Sequence, residues 1–152
     1  MKALLTDTRH SAELAAWAAQ RIPHVGDAGF GPCWAVGVAS AGVLEAVVVF
    51  HDWQPRTGTV QLSMASASPR WVSKPLVGRI LGLAFVRPWL SGEVRKVWVA
   101  IPSTAKRVVA FNEALGLRRE AVLRHHAGDG VHVVVCSILK REWQRRYAPG
   151  GI

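Results

Sequence analysis

Across the short turn Ser68–Lys74 the hydrophobic period of the chain changes. Before it, Thr59 to Ser66 alternates polar and apolar residues, the pattern of a half-buried strand. After it, Ser73 to Arg87 carries Leu76, Val77, Ile80, Leu81, Leu83, Ala84 and Phe85, too apolar for a surface helix, so a core helix is predicted. A strand, a turn and a buried helix in that order require a sheet with a helix packed on it. The first turn of such a helix has unpaired N–H groups and the positive end of the helix dipole, which makes it an anion site. Ser73 suits the N-cap, Pro75 suits the first turn because its missing N–H is not needed there, and Arg70 and Lys74 add positive charge. The competing reading is an ordinary capped helix on a basic protein.

The flanking segments extend this pattern. Ser11 to Ile22 spaces Leu14, Trp17, Ala18 and Ile22 as an amphipathic helix, with Ser11 as its cap and Pro23 after its end. Cys33–Ala39 and Val43–Asp52, joined at Ser40-Ala41-Gly42, form a hairpin, and Thr59–Ser66 adds a third antiparallel strand. Glu93–Ile101 is a strand, Thr104–Leu115 a helix closed by Gly116, and Glu120–His126 with Val131–Leu139 a final hairpin around Gly128-Asp129-Gly130. The order predicts an α+β fold: a mixed, mostly antiparallel sheet flanked by helices. Trp17, Trp34 and Trp98 fall on expected core faces, whereas Trp53, Trp71 and Trp89 are placed to line a cleft.

With 152 residues, half of them apolar, the chain can build one core, so residues 1–147 are expected to form one domain and 148–152 a flexible tail. No apolar run is long enough to cross a bilayer and the first residues do not read as a signal peptide, which predicts a cytoplasmic protein without a membrane partner. Cys33 and Cys136 are far apart and lack metal-ligand spacing, so they read as small core residues. His125, His126 and His132 read as surface histidines, and no metal is expected. The formal charge of +9 favours anionic partners, a phosphorylated cofactor or nucleic acid among them, with positive residues concentrated at Arg118-Arg119, at Arg124, and from Lys140-Arg141 to Arg145-Arg146.

Three stretches together resemble the GNAT N-acetyltransferases. Ser68–Leu83 stands where that family has its Arg/Gln-x-x-Gly-x-Gly/Ala turn and helix. Ile101–Leu117, ending Asn112-Glu113-Ala114-Leu115-Gly116-Leu117, resembles the family's helix end, and Arg118–Trp143 its closing hairpin. His51-Asp52-Trp53 and Arg70-Trp71-Val72-Ser73-Lys74 look most like a divergent group associated with phages and prophages.

The resemblance implies an acyltransferase that uses acetyl-CoA to acetylate a primary amine. Cofactor contacts would come from Met64, Ala65, Ser66, Arg70, Trp71, Val72, Ser73, Lys74 and Asn112. The sequence departs from the family at informative places: Ser73 and Pro75 replace turn glycines, Ala105 stands for a cofactor-contacting Asn, Asn112 for a Tyr acid, and Gln61 for a carboxylate base. His51 then becomes the candidate base, because imidazole titrates near neutrality. Adjacent strand residues face opposite ways, so His51 and Asp52 share a site only across a bulge. Two further readings stay open: an acyltransferase relative acting on nucleic acid or a modified base, and a catalytically inactive module that binds CoA or serves assembly. The acceptor is a small molecule, protein or nucleic acid, and a homodimer is compatible with exposed strand edges.

Overall fold

The computed structural model describes residues 2–23, 25–68, 71–86 and 92–148. Seven strands form a mixed sheet: β1 (Lys2–Leu5), β2 (Cys33–Ser40), β3 (Val43–Gln54), β4 (Thr59–Ser66), β5 (Lys96–Pro102), β6 (Arg118–Leu123) and β7 (Val133–Leu139). Four helices accompany them: α1 (Ser11–Arg21), α2 (Lys74–Phe85), α3 (Lys106–Ala114) and α4 (Lys140–Tyr147). The strand order is β1-β2-β3-β4-β5-β7-β6. β4 and β5 pair in parallel over Thr59–Gln61 with Lys96–Trp98, while the β1/β2, β2/β3, β5/β7 and β6/β7 pairs are antiparallel. This is the α+β class expected from the sequence. The chain falls into two compact units, Met1–Trp53 with Leu62–Val72, and Gln54–Gln61 with Ser73–Ile152.

In the first unit, α1 lays Leu14, Ala15 and Ala18 against Ala35, Val47, Val49 and Ala65, with Trp17, Ile22, Phe30, Cys33 and Leu44 packed around them. The small residues on α1 let the helix approach the sheet closely. Gly37 of β2 continues this fit, since a Cβ there would lie 3.0 Å from Leu44 Cδ1 and 3.1 Å from Leu14 Cδ2. The β2–β3 hairpin closes through Ala41 (φ 51°) and Gly42 (φ 78°), the left-handed pair that a two-residue turn requires. Two local expectations change. Ser11 lies inside α1, not at its cap, and its Oγ accepts from Ala35 N at 2.9 Å, so the hydroxyl ties the helix to β2. β1 was not expected, because four residues are too few to show a period; it is stabilised by pairing with Gly37–Ser40 and by the Lys2–Glu45 ion pair.

In the second unit, α2 buries Leu76, Val77, Ile80, Leu81, Ala84 and Phe85. β5 presents Val97, Val99 and Ile101 to the core, and Trp98, on the other face, is only partly buried, contrary to its expected core position. α3 ends as expected: Gly116 takes φ 98°, its N–H bonds Glu113 O at 3.0 Å, and Leu117 N bonds Asn112 O at 3.1 Å.

The segment after β7, read from sequence as the end of the closing hairpin, continues into a fourth helix. Leu139 N donates to the Glu142 carboxylate at 3.0 Å and fixes that helix's first turn. Tyr147 closes α4 and is half-buried, its hydroxyl donating to Leu115 O.

Candidate active site

β3 positions the candidate base. His51 pairs in register with Cys33 of β2, lies half-buried with the Phe30 ring at 5.1 Å, and holds Ser63 Oγ of β4 at 2.8 Å from its Nε2. Burial lowers its pKa below the ordinary imidazole value, and the neighbouring Asp52 charge opposes that shift. The ring is therefore neutral at physiological pH and can accept a proton. Asp52 adopts φ 52° within the strand. This left-handed conformation interrupts the extended backbone between His51 and Trp53, at a residue type that tolerates it better than most. It supplies the local irregularity that the sequence pattern alone could not show. Trp53 is half-buried, with Nε1 enclosed and without a hydrogen-bond partner among the described residues.

Ser63 was missed from sequence because a serine on the polar face of an alternating strand carries no signal of its own. Only the pairing of two strands identifies it. Met64 is half-buried, Ala65 is buried and Ser66 is exposed at the end of β4. Ala67 N, just beyond the strand, donates to Glu45 O at 2.8 Å.

The expected anion turn is described in part. Arg70 lies outside the described residues. Trp71 is 4% exposed, so its ring belongs to the interior instead of the open face of a cleft, and Val72 is half-buried. Trp89, also assigned to a cleft, lies outside the described residues. Ser73 is the N-cap of α2, its Oγ accepting from Leu76 N at 3.3 Å. Pro75 contributes no N–H and Leu76 N is bound to Ser73, so fewer amides face a ligand than in a glycine-rich turn. The Ser73 hydroxyl proton and the exposed Lys74 ammonium remain as donors suited to a phosphate.

Asn112 lies on α3, 7% exposed, with Nδ2 donating to Val108 O at 2.9 Å. That bond holds the amide inside its own helix. The histidines of the last hairpin hold its turn: His132 Nδ1 accepts from His125 N at 2.9 Å, and His125 Nδ1 from Gly130 N at 2.8 Å. Among the described residues no group of three His, Cys, Asp or Glu side chains could hold a metal ion. Cys136 is buried in β7 as expected and Cys33 is half-buried, and burial raises the pKa of both thiols. No described helix is long and apolar enough to cross a membrane.

A chimera of the spermidine N-acetyltransferase SpeG from Vibrio cholerae and hSSAT matches this structure with a TM-score of 0.73 at 14% identity, over 95% of this chain and 99% of that one. The fold is the GNAT acetyltransferase fold. Mutant forms of the spermidine/spermine N-acetyltransferase SpeG from Vibrio cholerae match equally, with TM-score 0.73 and 14% identity over 96% of this chain and 99% of theirs. The crystal structure of a candidate acetyltransferase reaches 23% identity and TM-score 0.65, over 78% of this chain and 62% of its own. No family model and no curated protein matches the sequence. At these identities the likeness is one of backbone arrangement, and the side chains must be argued from their own geometry.

Proposed function

We propose that the protein is an N-acetyltransferase that carries an acetyl group from acetyl-CoA to a primary amine. The observation that carries this reading is the His51–Ser63 contact on a GNAT fold: a neutral imidazole hydrogen-bonded to a hydroxyl at 2.8 Å. Acetyl-CoA would be the acyl donor. Its phosphates would meet the first turn of α2 at Ser73 and Lys74, with Arg70, Trp71 and Val72 as the further contacts expected from the sequence, and its thioester would lie along Met64, Ala65 and Ser66, whose backbone would polarise the carbonyl. Asn112, with Nδ2 committed to Val108, would contribute an acceptor.

With Ser63 donating to Nε2, the attacking ammonium gives its proton to Ser63 Oγ as the serine proton passes to His51. The imidazolium so formed is stabilised by Asp52. The neutral amine then attacks the thioester carbonyl and CoA leaves as the thiol, so His51 does the work for which related enzymes use a carboxylate where Gln61 stands here. The net charge of +9 disfavours a polycationic acceptor such as spermidine by like-charge repulsion, and favours a neutral or anionic amine. Release of free thiol across a panel of amines, with spermidine among them, tests the reading. Thiol release with at least one amine and its loss in His51→Ala support it; CoA binding without turnover of any amine favours an inactive CoA-binding module, a reading motivated by Ala105, Asn112 and Gln61.

A further inference from the structure

Two arginine pairs far apart in sequence line one cleft of about 650 Å³ in the second unit. Arg118 and Arg119 come from the start of β6, and Arg145 and Arg146 from the end of α4. Arg118 and Arg119 pair in consecutive register with Ser137 and Cys136 of β7, just ahead of a bulge at Glu120. Both arginines border the cleft. Glu113 and Glu142 lie in it too, and each is already held, Glu113 by Arg119 at 3.0 Å and Glu142 by Arg118 Nε at 2.9 Å. Arg146 donates one Nη to Ala114 O at 2.6 Å. Arg145 is exposed and meets no carboxylate among the described residues. A guanidinium carries five N–H donors, so each of these contacts leaves several donors for a ligand.

We propose that this cleft binds the phosphate backbone of a nucleic acid. Four guanidinium groups against two neutralised carboxylates leave a net positive cleft, and the guanidinium fork matches phosphate oxygens in pairs. The positive charge continues along α4, where exposed Arg141 lies one turn before Arg145, so the cations form a row suited to successive phosphates instead of one. Among the described residues no aromatic ring lines the cleft, so it reads phosphates without stacking on bases, and binding is independent of sequence. Leu117, the large apolar residue of the lining, is buried, so it offers no exposed apolar side chain to a lipid bilayer.

The experiment is fluorescence anisotropy of the full chain with labelled 20-mer duplexes of two unrelated sequences. Arg145→Glu and Arg145→Gln are compared with Arg56→Glu, which makes the same charge change on the exposed turn between β3 and β4. Binding at 50 mM salt that is equal for both duplexes and falls about a hundredfold by 200 mM, as four phosphate contacts require, supports the proposal. So do a tenfold or greater loss in Arg145→Glu, a salt slope lower by about one in Arg145→Gln, and unchanged binding in Arg56→Glu. No binding at 50 mM salt overturns it. Equal losses in Arg145→Glu and Arg56→Glu overturn it as well, because the attraction would then belong to the whole surface. Arg145-dependent binding to phosphatidylserine vesicles without binding to either duplex would assign the cleft to a membrane surface and also overturn it. Thermal unfolding of each variant confirms that the fold is intact.

Discussion

The indole Nε1 of Trp143 donates to Gly78 O at 2.9 Å, joining α4 to the middle of α2 across 65 residues of sequence. The two glycines of α2 that face α4 make room for it. A Cβ at Gly78 would lie 2.7 Å from Tyr147 Cδ1 and 3.0 Å from its Cβ, and one at Gly82 would lie 2.9 Å from Trp143 Cζ2. The helix whose N-terminus is the proposed phosphate site is thus seated by two aromatic side chains of α4.

Gly78→Ala is therefore expected to destabilise the protein even though alanine is the better helix former. Overpacking of this kind costs about 1–3 kcal/mol, against a propensity gain of about 1 kcal/mol. Urea unfolding of the variant checks the sign; a rise in stability would mean that α4 shifts freely along α2.

His51 links stability to pH. Its folded pKa is lowered by burial, so between about 6.5, the unperturbed imidazole value, and that lower value the unfolded chain binds the extra proton and the folded chain does not. Stability is fully present above the unfolded value and falls as pH drops through this window. In His51→Gln the fall in that window is expected to be smaller than in the wild type, as measured by thermal unfolding between pH 7.5 and 5. Equal slopes would show that His51 titrates normally.

The same residue sets the expected rate profile. His51→Ala should lower kcat/KM for the acetylated amine by about 10²–10⁴, the usual contribution of a positioned general base, and remove the acidic limb of its pH dependence. Ser63→Ala should lower the rate less and retain that limb, since the base remains and only the relay is lost. A Ser63→Ala variant as slow as His51→Ala would instead make the hydroxyl indispensable to the proton path.

The sequence periods located the elements with strong repeats: α1, α2, both hairpins and the strand–helix pair of β5 and α3. They missed β1, which is too short to show a period and depends on pairing with β2, and α4, whose start rests on the Glu142 carboxylate reaching back to Leu139 N. At the candidate site, His51 was proposed from its residue type and its place near a strand end. Its partner Ser63 and the left-handed Asp52 were not, because both follow from strand pairing and local backbone, which one sequence does not display. Trp71 was misplaced for a related reason: an aromatic residue in a polar turn reads as exposed until the interior it enters is known.

Ser73→Ala tests the cap at the proposed phosphate site. Loss of the bond to Leu76 N should cost about 1 kcal/mol of stability and weaken acetyl-CoA binding, because the hydroxyl both orders the first turn and offers its proton to a phosphate. Ser73→Gly separates the two roles: stability should fall by only a few tenths of a kcal/mol while affinity falls as in the alanine variant. Unchanged affinity in both variants would leave Ser73 a structural cap.

The most direct measurement is thermal unfolding of the full chain with acetyl-CoA raised to millimolar concentration. At a hundred times the dissociation constant, a ligand that binds only the folded protein adds about 2.7 kcal/mol, which for a chain of this length raises Tm by about 5–10 °C. The account predicts a rise of that size that grows with cofactor concentration and is reduced in Ser73→Ala. A Tm that does not move at millimolar acetyl-CoA would contradict it.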